Sequence, residues 1–302
     1  MNAPEVVSCA GAPRDLGLDQ GRAFAARIAQ EAAQLRPDGR ASRWAFERRS
    51  DGRAAAVRRD TLRYFPHMAE RAMGLAAGSR VGERALAGLL GRAFHASADV
   101  VAVLSGERTG GAACIVRSLR PGKEVFVRHS APDSDYHSVE AALPWRVPAL
   151  AGVNQHGLAV ASVAAPADPA GGHLAPAVLL TQDALQRFDG VEKALEWLER
   201  RPAGGAADFV LADATGAVAA FEIRPKARRR IPLESGARVL GGGPDRAVWD
   251  AAVESAGGRD ASALCAAAAG TCIVLDPARA RMATADAQGP GSWHRAAAPP
   301  AA

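Results

Sequence analysis

Four cysteines, at positions 9, 114, 265 and 272, are the residues most able to act as nucleophiles in this chain. None forms a CxxC pair or stands in a Cys/His cluster at zinc spacing, so each is weighed singly and no metal or cofactor is expected. Cys114 differs from the rest in its approach, Gly110-Gly111-Ala112-Ala113, and in the apolar Ile115-Val116 that follows. Small residues tolerate a bent, strained backbone, and the thiol stands at the start of an expected strand. That layout suits attack of the thiol on the carbonyl before it. Cleavage there would free an α-amino group with a reference pKa of about 7.7–8.0, able to act as a base without a histidine. The ordinary alternative is a small buried hydrophobe, the common fate of a free cysteine. Cys265 and Cys272 lie in apolar runs and read that way. Cys9 reads as part of an exposed N-terminal turn with no partner.

The elements that must position this thiol fall into two textures. Before about residue 99 the chain reads as helical, over Leu16 to Leu35, Arg53 to Gly74 and Val81 to Phe94, with breaks at Gly39, Gly52 and Gly78. Afterwards, short apolar runs bounded by Gly and Pro predict strands at Val100–Leu104, Cys114–Val116, Glu124–Val127 and within Ala149–Ser162. A helix is expected from Gln182 to Arg201, stopping before Pro202. Strands follow at Phe209–Ala212 and Ala217–Ile223, joined by Asp213-Ala-Thr-Gly216. A short helix near Val248–Ser255 and strands at Thr271–Leu275 and Arg281–Ala285 complete the series. This order predicts an α+β layered fold in a single domain, not a Rossmann alternation. The tail 296–302, all Ala and Pro, is expected to be disordered.

Bulk properties narrow the function. A hydrophobic fraction of 48% over 302 residues can bury a sizeable core. The net charge of +5 comes from basic residues scattered singly. The one tight run, Arg228-Arg229-Arg230, lacks interleaved aromatics and reads as a solvated loop face, so no nucleic-acid partner is expected. No apolar stretch reaches membrane-spanning length, and no secretory signal is visible, so a cytoplasmic chain with free thiols and no membrane partner is expected. Gly241-Gly242-Gly243-Pro244 fits neither GxGxxG nor a P-loop and reads as a turn. A papain-like site would need a Cys-Trp helix start and a later His-Asn pair, and neither is present.

Five segments in order resemble the penicillin-acyltransferase-type branch of the N-terminal-nucleophile (Ntn) hydrolases, the C45 peptidase family, itself related to the choloylglycine hydrolases. They are Gly11-Ala-Pro-Arg-Asp-Leu-Gly17 with Gly21, and Phe65–Glu70 followed by Met73–Gly78. Then come Ala151-Gly-Val-Asn-Gln-His-Gly-Leu-Ala-Val160, Phe209–Gly216 with Phe221-Glu222, and Val274-Leu-Asp-Pro277 with Arg281-Met282. The resemblance implies a four-layer αββα sandwich, with residues 1–113 as a helical N-terminal segment and 114–295 as the catalytic segment. It implies self-cleavage before Cys114, and hydrolysis or transfer of an acyl group held in a small-molecule amide or acyl-CoA-type thioester. By position it places the nucleophile on Cys114. It places an arginine near that nucleophile on Arg128, where it would hold the thiolate or a substrate carboxylate.

Departures from the family pattern leave a second reading open. Ile115 stands where Thr or Ser is usual, and His129-Ser130-Ala131 replaces an Asn-x-Asp pattern, with Asp133 two positions late. The oxyanion-hole asparagine appears as Asp208, whose carboxylate would repel a developing oxyanion unless protonated or turned away. Leu240-Gly-Gly-Gly243 replaces a His-Thr-Asn-His stretch. A catalytically degenerate member that binds a ligand or partner fits these changes. Asn154–Gly157 reads as a tight turn, with His156 exposed in it, and His129 beside Arg128 reads as an ordinary strand-end histidine or else as a substitute base or orienter.

Overall fold

A computed structural model describes residues 4–34, 52, 54–91, 99–109, 111–120, 124–165, 175–233, 236–242, 245–254, 261–268, 270–286 and 289–296. The expected α+β architecture is found. An eight-stranded sheet runs in the order β1 (Val6–Gly11), β4 (Phe126–Pro132), β5 (Ser138–Ala142), β6 (Ala151–Asn154), β7 (Ala159–Ala165), β8 (Ala206–Ala212), β9 (Val218–Arg224) and β10 (Ala227–Ile231). A six-stranded sheet runs β11 (Ala237–Gly241), β2 (Val100–Leu104), β3 (Cys114–Ser118), β12 (Cys272–Asp276), β13 (Arg281–Asp286) and β14 (Gly289–Arg295). All described neighbours pair antiparallel except β1 and β4, which are parallel.

Three apolar layers lie between four structural layers, as strand alternation dictates when both faces of a sheet are covered. The outer face of the eight-stranded sheet packs under α1 (Pro13–Ala23), α2 (Ala25–Ala33), α3 (54–64), α4 (Pro66–Ser79), α5 (Glu83–Gly91), α7 (Leu179–Arg187) and α8 (Val191–Arg200). α6 (Gly106–Thr109) is a single turn between β2 and β3. The inner faces of the two sheets meet through Val103, Ile115, Val127, Val139, Val153, Val210 and Leu275. The outer face of the six-stranded sheet packs Ala102, Leu104, Val116 and Val274 against Trp249 of α9 (Asp245–Glu254) and Leu264 and Cys265 of α10 (Ala261–Ala267). The order is therefore helices, sheet, sheet, helices.

The first two helical segments cross at a backbone contact that their glycines permit. A Cβ on Gly17 would stand 1.9 Å from the Arg71 carbonyl oxygen, and one on Gly74 would stand 1.9 Å from that of Arg14. Gly21 and Gly78 meet the partner helix one turn further on. Gly78, expected as a break, sits inside α4 for this reason.

Other expectations are corrected by the structure. The N-terminus is not a turn: residues 6–11 form β1, and Cys9 is fully buried in it. The expected helix 182–201 is two helices, α7 and α8, separated near Asp189 and Gly190. Arg228-Arg229-Arg230 forms β10 and is not a loop. Arg229 and Arg230 pair with Glu222, Glu192 and Glu199, while Arg228 donates to the carbonyls of Leu198 and Arg201 at the end of α8. That use of arginine satisfies the orphan carbonyls of a helix C-terminus. The Asp213–Gly216 turn forms as expected, with Asp213 Oδ1 accepting from the backbone of Thr215. Ala296, counted with the tail, is buried and its amide donates to Ala280; residues 297–302 lie outside the described residues, as do Gly39 and Gly243-Pro244.

Candidate active site

Cys114 opens β3 and sits across from Leu104 of β2, so residues 105–113 form the whole connection between two antiparallel strands. The bend is held by its own hydrogen bonds. Thr109 Oγ1 donates to the carbonyls of Ala112 at 2.9 Å and Gly106 at 3.2 Å, and the Gly111 amide donates to Gly106 at 3.0 Å. Ala113 is buried, and Cys114 is half-buried where Cys9, Cys265 and Cys272 are fully buried. None of the four forms a disulfide. Because Ile115 faces the other sheet, Cys114 faces the opposite way, toward the α9 and α10 layer.

The same end of the sandwich holds the Asn154–Gly157 turn. Ile115 is in register with Leu275, and the chain after Asp276 passes under the hairpin, where a Cβ on Gly157 (φ +83°) would stand 2.5 Å from the Pro277 carbonyl oxygen. Asn154 is spent on this turn. Its Oδ1 accepts from the amides of His156 and Leu158, and its Nδ2 donates to the carbonyls of Leu185 and Phe188. His156 is exposed, with its ring 4.3 Å from that of Tyr136.

Arg128 does not stand beside Cys114. It lies within β4 rather than at a strand end, and it shares a face with Phe126, under the helices of the far layer. Fully buried, it donates from Nε to Glu140 Oε2 at 2.6 Å, from Nη1 to Gln20 Oε1 at 2.6 Å, and from Nη2 to Gln182 Oε1 at 2.8 Å and the Val147 carbonyl at 3.0 Å. Burial alone would push the Glu140 carboxyl up, but Arg128 and Arg71, with hydrogen bonds from Ser138 and Gln182, hold it below its ordinary value. Arg71 is also buried and is lowered to about 10 by burial and by the charge of Arg128. This network ties α1, α4 and α7 to the sheet, and sequence reasoning missed it. The available signal was Glu140, a lone charge inside the apolar run Val139–Leu143.

Asp208 is likewise apart from the thiol. On β8 it faces the inter-sheet layer with Val210 and Ala212, in register with Val163 and Glu222. Ala212 leads into the turn that touches Gly157, so Asp208 lies about 13 Å along the strand from the Cys114 end. Burial raises its carboxyl above the ordinary value, against the opposing pull of Arg224, whose Nη1 lies 2.6 Å from Oδ1. Arg224 lowers the carboxyl through hydrogen bonding and charge, and the Gly241 backbone also lowers it, but burial prevails. Cys114, Arg128 and Asp208 therefore occupy three separate places.

His129 faces the inner layer, opposite to Arg128. Its ring meets that of His294 from β14 at 5.9 Å, edge to face, which bridges the two sheets at their margin. Burial and the neighbouring histidine lower His129, and burial lowers His294. Among the described residues no group of three or more His, Cys, Asp or Glu side chains could hold a metal ion, and no helix is long and apolar enough to cross a membrane.

No protein-family model matches the chain, and no curated protein matches it in sequence. Among solved structures, the Caenorhabditis elegans ortholog of N-acylethanolamine-hydrolyzing acid amidase is similar at a TM-score of 0.46 and 12% identity, over 60% of this chain and 93% of that one. Penicillin V acylase from Agrobacterium tumefaciens is similar at a TM-score of 0.42 and 15% identity, over 65% of this chain and 86% of that one.

Proposed function

We propose that the chain is a cysteine amidohydrolase or acyltransferase of the Ntn type, of the C45 kind by its motifs, activated by cleavage between Ala113 and Cys114. The observation that carries this reading is the bend before Cys114. A half-buried thiol at a strand start follows a tight, self-bonded connection, and the other three cysteines are sealed in the core. In the proposed reaction Sγ adds to the Ala113 carbonyl carbon and the C–N bond breaks, giving a thioester and the Cys114 amine. Water then hydrolyses the thioester, leaving a carboxylate on Ala113 and a thiol beside a base of near-neutral pKa. The mature thiol would accept an acyl group from a small amide or an acyl-CoA-type thioester in the cytoplasm, and pass it to water or an amine.

Arg128 and Asp208 do not enter this mechanism, because each is engaged elsewhere. Their dispersal favours a second reading, a degenerate scaffold that keeps the sandwich and binds a ligand. Intact-mass measurement of purified protein separates the two. Fragments corresponding to residues 1–113 and 114–302 support the enzyme, and a chain that stays whole through prolonged incubation supports the scaffold.

A further inference from the structure

The outer helical layer contains a pocket that the proposed reaction does not use. It opens between α3, α4 and α5, on the far side of the eight-stranded sheet from Cys114, and is lined by Val57, Leu62, Leu75, Leu86, Leu90 and Trp145 among others. The centre of a water molecule can reach about 120 Å³ of it. One polar group breaks this apolar wall. Thr61 lines the pocket, is 3% exposed, and its Oγ1 has no hydrogen-bond partner among the described residues. A threonine on a helix ordinarily satisfies its hydroxyl on the preceding turn, so a buried orphan here calls for a partner within the pocket.

At the mouth, Arg58 and Glu83 neutralise each other, with Nη2 and Oε2 2.7 Å apart. A ligand therefore meets no net charge at the rim and a single hydroxyl inside. Burying an unpaired charge among these side chains would be costly, which excludes ionised ligands. An apolar cavity of about 150 Å³ holds benzene, so on the order of six non-hydrogen atoms of a ligand fit inside and the rest lies at the open mouth.

We infer that this pocket binds a neutral aliphatic molecule, about six of whose non-hydrogen atoms it encloses, carrying one hydroxyl or carbonyl that bonds to Thr61. The flexible Met73 at the wall can adapt to an alkyl chain. The inference is independent of the chemistry proposed at Cys114 and holds whether or not the chain cleaves.

1-Nonanol is a suitable probe, with nonanoate as its charged counterpart. Titration calorimetry and thermal denaturation of the full chain should show saturable binding of nonanol, a rise in Tm, and binding of nonanoate at least tenfold weaker. Thr61→Val should weaken nonanol by about fivefold, the scale of one neutral hydrogen bond. Ala72→Leu and Ala87→Leu, which fill the space, should abolish binding. Should those variants fail to fold, a nonanol carrying a diazirine decides on the native chain, by labelling peptides spanning residues 57–90 or Trp145. No binding of nonanol, equal binding of nonanoate, undiminished binding in a folded pocket-filling variant, or labelling confined to other segments would each overturn the assignment.

Discussion

Gly17 presses its α-carbon so close to Arg71 that a methyl group there would lie 1.9 Å from the Arg71 carbonyl oxygen. The contact partner is backbone, which cannot rotate away, so α1 and α4 would have to separate. Gly17→Ala should lose about 3 kcal/mol or more in a denaturant titration, at the upper end of the cost of overpacking. Gly242→Ala is the control, since nothing lies within 4 Å of a Cβ there, and it should change stability by less than about 0.5 kcal/mol. Equal effects at the two positions would mean the helix crossing is looser than described.

That crossing shows what was legible in the sequence. The spacing of Gly11, Gly17 and Gly21 resembles a family signature, and its physical content is backbone geometry: Gly17 and Gly21 let α1 pack on α4, and Gly11 takes the positive φ (+102°) that ends β1. Apolar runs bounded by turns located β2, β3, β8, β9, β12 and β13 because buried strands are near-continuous in hydrophobic residues. The strands missed outright lacked that mark. β1 carries Ser8 and Cys9 and has an edge position, β5 contains Glu140, β10 is the arginine run, β11 carries Arg238 and ends at Gly241, which reads as part of a glycine turn, and β14 holds Gly, Pro and Ser. At the site, the bend before Cys114 was legible from its small residues. The position of Arg128 was not, because residue spacing does not tell which face of a strand a side chain takes. One residue of register, the difference between His129 and Arg128, sends a side chain to the opposite layer.

Among the described residues Glu140 is the carboxylate that pairs with Arg128, and its charge also offsets Arg71. Glu140→Gln would leave two buried guanidinium groups uncompensated and should destabilise the fold by about 3–5 kcal/mol. Arg71→Met should cost less, since Arg71 Nε and Nη1 already lack hydrogen-bond partners among the described residues. Because the folded pKa of Glu140 is depressed, its contribution is present above the unfolded value of 4.5 and is lost as pH falls through the folded one. Denaturation midpoints of the wild type and Glu140→Gln should therefore converge in acid. A gap that stays constant down to pH 3 would contradict the pairing.

His129 and His294 make the opposite use of charge. Both folded pKa values lie below the ordinary 6.5, so the unfolded chain takes up protons more readily than the native one. Stability from this pair is whole above about pH 6.5 and declines as pH falls from there toward the native values. Between pH 8 and pH 5.5 the Tm of the wild type should drop more than that of His294→Asn, which leaves His129 without its cationic neighbour. The difference should be modest, because His294 is only partly buried. Parallel profiles for the two proteins would show that the rings do not sense each other.

Cys114 should be the thiol that reacts first. Its three counterparts are each no more than 1% exposed, and burial pushes the Cys9 thiol up against the lowering effect of Arg128 and Arg71. Thiolate formation and access together set alkylation rates, so iodoacetamide at neutral pH should modify Cys114 at least tenfold faster than any of them. Cys114→Ala should abolish fragment formation and acyl transfer together, since the same sulfur is proposed to attack both the Ala113 carbonyl and the substrate. Cys114→Ser should retain slow cleavage, because a hydroxyl can make the same acyl shift with a poorer nucleophile. Thr109→Val tests the bend itself. Without the hydroxyl bond to the Ala112 carbonyl the connection loosens, the Gly111 amide alone still holding the Gly106 carbonyl, and cleavage should slow by roughly tenfold while alkylation of Cys114 does not. First modification at Cys265 or Cys272 would move the reactive centre away from β3, and fragments that persist in Cys114→Ala would show that the cut owes nothing to this thiol.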